Sequence, residues 1–131
     1  MSMSSKPPEP ARARRLLLID DDPILREFAQ IHLAAADLTV VTAGSAQAAM
    51  EQMKQSAFDI VVTDFDMPGM NGLELIGALR ADSRYKSLPI IFATGSDDLA
   101  TVNAAYRLGI ANFAAKPINW KILAMQIRNA L

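Results

Sequence analysis

The sequence predicts a doubly wound α/β fold, with five parallel strands covered by helices on both faces. Three observations predict it. Short continuous apolar runs alternate with longer stretches of helical spacing. The runs lack the polar alternation of a half-exposed sheet, as strands buried on both faces do. Each of the best-defined runs stops abruptly at a polar residue. With 131 residues, 51% of them hydrophobic, the chain has room for one domain and one substantial core.

The first run, Arg15–Ile19, empties into three aspartates and a proline, as a buried strand does on reaching a loop. Pro23 suits the first turn of a helix reaching about Ala36, in which Ile24, Leu25, Phe28, Ile31 and Leu33 fall near helical spacing. Leu38–Thr42 is a short β-branched run, Ala46–Gln55 is rich in helix formers, and Phe58–Thr63 is continuous and apolar up to Asp64. Gly69 and Gly72 punctuate a loop, Asn71–Leu79 reads as the third helix, and Pro89–Ala93 as the fourth strand. Ser96, Asp97 and Asp98 lead into a helix over Leu99–Leu108. Ala111–Ala115 is the fifth strand, broken by Lys116-Pro117, and Asn119 can cap a last helix running to Leu131. Right-handed crossovers then lay helices on both faces of a parallel sheet. The flavodoxin-like strand order 2-1-3-4-5 sets strands 1 and 3 side by side at the switch point, where ligands bind.

Thirteen basic and 14 acidic side chains leave a formal net charge of -1, so no global field draws in nucleic acid or an anionic membrane, and neither is an expected partner. The absence of cysteine excludes a disulfide framework and a thiolate zinc site, and suits a cytoplasmic location. No apolar stretch approaches the roughly 20 residues that span a bilayer. Residues 1–14, rich in proline, serine and basic side chains, read as a flexible leader, with the folded domain over 15–131.

In that topology Asp20, Asp21 and Asp64 converge on one crevice, and crowded carboxylates call for a cation. Oxygen-only ligands favour Mg²⁺. Thr94, followed by the small Gly95, and Lys116 at the end of strand 5 fall at the same edge. A hydroxyl and an ammonium directed at an anion on Asp64 are what phosphoryl transfer requires. Taken singly, each of these residues has an ordinary explanation as a solvated strand end or a turn.

The segments LLLIDDDP, VVTDFDMPGMNG, PIIFATGS and NFAAKP resemble the four signature segments of response-regulator receivers, and the resemblance covers about residues 15–131. It implies that Asp64 is the phosphoacceptor, Asp21 a direct Mg²⁺ ligand, and Asp20 a ligand or a water-bridged neighbour. The backbone carbonyl of Asp66 would complete the protein's share of the metal shell. The phosphoryl group would come from a sensor histidine kinase or a histidine phosphotransfer protein, in a reaction the receiver itself catalyses. Phe113 matches the aromatic position coupled to Thr94 in switching, and helix 4, strand 5 and helix 5 would form the output face, with homodimerisation through it as one outcome. Lys116-Pro117 resembles the family's cis peptide.

Asp66, where many receivers carry methionine or asparagine, and Ser96, two residues after Thr94, would tune phosphate lifetime. Asp22 is expected outside the metal shell, and His32 is read as structural or surface. Trp120, Ile122, Leu123, Met125 and Ile127 give helix 5 an apolar stripe, read first as core and second as a pairing surface. The stretch around KPINW is similar to receivers that precede cyclic-di-GMP synthesis or degradation domains, which leaves a stand-alone regulator and an excised domain both open. Two other classes compete. Asp64-x-Asp66 resembles the nucleophile motif of haloacid-dehalogenase-type phosphohydrolases, although there the acidic pair comes last. A receiver-like binding module that is not phosphorylated, or an FMN carrier on the same fold, would leave the carboxylates without a task.

Overall fold

The computed structural model describes residues 12–95 and 98–131. Positions 1–11 of the expected leader, and Ser96 with Asp97, lie outside the described residues. The elements alternate as β1 (Arg14–Ile19), α1 (Pro23–Leu33), β2 (Leu38–Ala43), α2 (Ala46–Gln55), β3 (Ile60–Asp64), α3 (Gly72–Ala81), β4 (Ile90–Thr94), α4 (Leu99–Arg107), β5 (Asn112–Ala115) and α5 (Trp120–Ala130). A 3-10 turn at Ser83–Tyr85 lies between α3 and β4. The strands pair in parallel in the order β2-β1-β3-β4-β5, which is the predicted doubly wound, flavodoxin-like (βα)5 arrangement.

Successive side chains of a strand point to opposite faces, so each apolar run feeds two cores. Leu17, Ile19, Val61, Ile90 and Phe92 pack with Ala49, Leu75, Ile76, Leu79 and Ala105 from α2, α3 and α4. Leu16, Leu18, Ile60, Val62 and Ile91 pack with Ala29, Leu33, Leu123 and Ile127 from α1 and α5. This two-sided burial is why the strands read as unbroken apolar runs.

Helix starts follow the cap chemistry of the sequence. Asp22 accepts from the Ile24 N–H ahead of Pro23, Ser45 accepts from Ala48, Asp98 from Ala100 and Asn119 from Ile122. Asn71 and Glu74 form a reciprocal capping box, so Asn71 caps α3 and does not begin it. Such caps contribute about 1 kcal/mol each.

Most boundaries fall within a residue or two of expectation, and two of the differences have a visible cause. Helix α1 stops at Leu33 although the alanines to Ala36 favour helix. Ala34 turns extended and Ala35 exchanges backbone hydrogen bonds with Leu38, swinging the chain into β2. Strand β3 starts at Ile60 and not at Phe58, because Phe58 lies under the Arg15 guanidinium, 5.1 Å from its ring centre, and Asp59 accepts the Arg15 backbone N–H at 2.8 Å. Neither change touches the end of the sheet where the polar residues gather. There the register pairs Ile19 with Thr63, Asp64 with Ala93, and Thr94 with Ala115, so the residues closing β1, β3, β4 and β5 line one edge.

Candidate functional site

Asp20 follows the last residue of β1 and is only 3% exposed, held at both its ends. Its backbone N–H donates to Ala43, its carbonyl accepts from Arg26 Nη1 at 2.8 Å, and its Oδ1 accepts from the Asp22 N–H at 2.9 Å. Asp22 therefore caps α1 with its side chain and holds the Asp20 carboxylate with its backbone N–H. Asp21 between them is exposed.

Asp64 ends β3 with 5% of its surface exposed. Its carbonyl accepts from Thr63 Oγ1 at 3.0 Å. Gly72, at the start of α3, lies against that same carbonyl so closely that a Cβ there would collide with it. The Gly72 N–H donates to Phe65 at 2.9 Å, which closes the loop after the strand.

Lys116 joins the two carboxylates. Its Nζ donates to Asp20 Oδ2 at 2.7 Å and forms an ion pair with Asp64 Oδ1 at 2.9 Å. The Lys116 backbone N–H donates to the Thr94 carbonyl at 3.0 Å, tying the end of β5 to that of β4, and the Lys116-Pro117 bond is cis. Thr94 is 1% exposed at the end of β4.

The electrostatics follow from this burial. Desolvation pushes the Asp64 carboxyl above its ordinary pKa, and the nearby Asp20 charge adds to it, against the pull of Lys116. Burial works against the Lys116 ammonium, but hydrogen bonds to Asp20 and Asp64 outweigh it and raise its pKa. Carboxylate oxygens of Asp20, Asp21 and Asp64 come within 4.8 Å of one another. Three hard oxygen donors at one spot suit a hard divalent cation such as Mg²⁺ and offer nothing to a soft metal.

The fold thus brings together Asp20, Asp21, Asp64 and Lys116, with Thr94 on the adjacent strand end. The Asp66 side chain is exposed in the loop after β3, and Phe113 is half-buried on β5, packed against the core on the α3–α4 side. His32 is on α1, stacked on Trp120 with ring centres 5.3 Å apart, so the two residues occupy each other. Sequence reasoning missed Arg26, since one arginine in an amphipathic helix reads as solvated. It saw Gly72 only as loop punctuation.

A model of the response regulator receiver domain family matches residues 16–128. The chain belongs to that family. This receiver is 34% identical over 120 residues to response regulator protein FleR of Pseudomonas aeruginosa, an alignment covering 91% of the chain and 25% of FleR. It is 32% identical over 119 residues to chemotaxis protein CheY1 of Helicobacter pylori, covering 89% of the chain and 96% of CheY1. The chain therefore spans a quarter of FleR and nearly all of CheY1. A crystal structure of a response regulator receiver protein from Pseudomonas putida superposes with a TM-score of 0.85 at 26% identity, covering 92% of this chain and 99% of that one. Receiver domains act in two-component systems, where they accept phosphoryl groups from histidine kinases. Membership replaces the dehalogenase-type and flavin-carrier readings. Among the described residues, no helix is long and apolar enough to cross a membrane.

Proposed function

We propose that this receiver takes a phosphoryl group onto Asp64 in a Mg²⁺-dependent reaction. The observation that carries the reading is the Lys116 ammonium at 2.7 and 2.9 Å from two buried carboxylates, with the buried Thr94 closing the strand between those of Asp64 and Lys116. An oxygen of Asp64 attacks the phosphorus of a phosphohistidine on a kinase or histidine phosphotransfer protein. The O–P bond forms as the P–N bond breaks, and the imidazole leaves with the electron pair. Asp20, Asp21, Asp64 and the Asp66 carbonyl would hold the Mg²⁺, which when bound offsets charge on the transferring oxygens. Lys116 neutralises the same oxygens from the β5 side. The Thr94 hydroxyl donates to the product phosphoryl group.

Movement of Thr94 toward that group, coupled to Phe113, is the proposed route to the α4–β5–α5 face. Leu99, Tyr106, Ile122 and Met125 are exposed there and suit a homodimer contact. The signalling domain begins with β1 at Arg14, one residue before the boundary the sequence suggested, with residues 1–13 as its leader, and works in the cytoplasm. Asp66 and Ser96 set the phosphate lifetime, and unchanged autodephosphorylation in Asp66→Asn would remove that role from Asp66. The sequence around KPINW favours cyclic-di-GMP output in a longer protein.

Intact-mass analysis with acetyl phosphate tests the core of this reading. One phosphoryl adduct is expected with Mg²⁺, none with a chelator and none in Asp64→Asn. A folded protein that gains no mass from a small donor with Mg²⁺ would favour the unphosphorylated binding module.

A further inference from the structure

We propose that Arg80 is a positioning residue for α4: it stakes the C-terminal end of that helix, so α4 answers the site by pivoting about that end. The inference rests on the proposed roles of Thr94 and the α4–β5–α5 face. From the last turn of α3, the Arg80 guanidinium reaches four carbonyls on two other segments. Nε donates to Leu108 at 2.8 Å and Nη2 to Gly109 at 3.0 Å, both just past α4. Nη1 donates to Tyr85 at 2.8 Å and to Lys86 at 3.2 Å, at the end of the 3-10 turn. Carbonyls at a helix end lack intrahelical partners, and a planar, always-charged fork is suited to take several at once.

The rest of that end is equally fixed. Gly109 turns the chain at φ +77, a left-handed conformation that glycine adopts without strain. Ile110 is buried, Leu108 packs on the core, and the Ala111 N–H donates to Ile90 at 2.7 Å. The other end of α4 has little hold on the core. Leu99 is 74% exposed, Ala100 and Asn103 are exposed, and among the described residues of the helix Ala105, in its C-terminal half, is the buried one. Only residues 95–98 separate that loosely packed end from Thr94. A stiff helix held at one end and pulled at the other swings about its anchor.

The chain lacks cysteine, so spin-label pairs can be placed at will. One label at Gln47→Cys on α2 is paired with Ala100→Cys or with Arg107→Cys, at opposite ends of α4. Distances are read with and without beryllofluoride plus Mg²⁺, whose occupancy is followed separately by fluorine NMR. The 47–100 distance is expected to shift while 47–107 stays. In Arg80→Met, and in the milder Arg80→Lys, which keeps the charge but loses the fork, 47–107 shifts as well. Equal displacement of both ends with Arg80 intact overturns the pivot. Hydrogen exchange on the resting protein supplies an arm that needs no activation. Slow exchange at Leu108–Ile110 and fast exchange in the first turn of α4, with the difference erased in both Arg80 variants while α3 is unaffected, supports the anchor. Uniform exchange along α4, or a difference indifferent to Arg80, overturns it. Failure of fluoroberyllate to bind instead counts against the phosphoacceptor reading, and the exchange arm still decides the anchor.

Discussion

The ion pairs at the two ends of the sheet have nearly the same lengths and very different surroundings. Where the strands end, Lys116 stands 2.7 Å from Asp20 and 2.9 Å from Asp64, and both carboxylates are almost sealed from water. Where the strands begin, Arg128 stands 2.8 Å from Asp37 and Arg84 2.7 Å from Asp82, in open solvent or close to it. The arginine partners lower the pKa of Asp37 and of Asp82, whereas burial raises that of Asp64 despite its lysine. Separation alone therefore does not set what a pair contributes. Access to water does, because the desolvation penalty grows as fast as the attraction.

The sharpest challenge to this contrast is Lys116→Met. In chelator at neutral pH it leaves two buried carboxylates facing each other, and urea denaturation should show a loss of about 3 kcal/mol. That is the low end for breaking a buried pair, because a quarter of the lysine side chain is in water. An unmoved midpoint would mean that the strand-end edge is as well screened as the opposite one.

Gly72→Ala should cost about 2 kcal/mol, the usual scale for forcing an extra carbon into a packed site, by pressing on the Asp64 carbonyl. The same variant should show slowed phosphoryl uptake by intact mass, since the carbonyl and the carboxylate move together.

Asp64→Asn tests the sign of the burial effect. The folded pKa lies above the ordinary 3.8, so the folded protein binds this proton more tightly than the unfolded chain. The stability it confers is full below the unfolded value and is lost as pH rises through the folded one. In metal-free buffer the variant should match wild type in acid and exceed it at neutral pH, by urea midpoints measured across that window. A constant difference at all pH values would assign the effect to packing. Smallest of all, Arg128→Ala should leave the midpoint within error, and any residual effect should vanish with added salt.

Much of the site was legible because its residues sit at positions that periodicity locates. An apolar run that stops at Asp20 or Asp64 marks a strand end, and parallel topology puts such ends on one edge. Arg26, Gly72 and Arg80 were not legible in those roles. Their partners, the carbonyls of Asp20, Asp64 and Leu108, are main-chain atoms that carry no sequence signal, and the last of them lies 28 residues along the chain from Arg80. The helix end at Leu33 escaped for a related reason, since alanine favours continuing and the pull of β2 is a tertiary effect.

What the sequence by itself determined is the alternation of elements, hence the doubly wound sheet, the side-by-side placement of strands 1 and 3, and the chemical types gathered at their ends. Only the tertiary structure decided how deeply each carboxylate is buried, that one lysine serves both Asp20 and Asp64, and that an arginine on α3 holds the end of α4. Periodicity and capping are local properties, written within a few residues of where they act. Burial and the energy of a charge depend on what the rest of the chain places around them, and that is settled only when the sheet and its helices close.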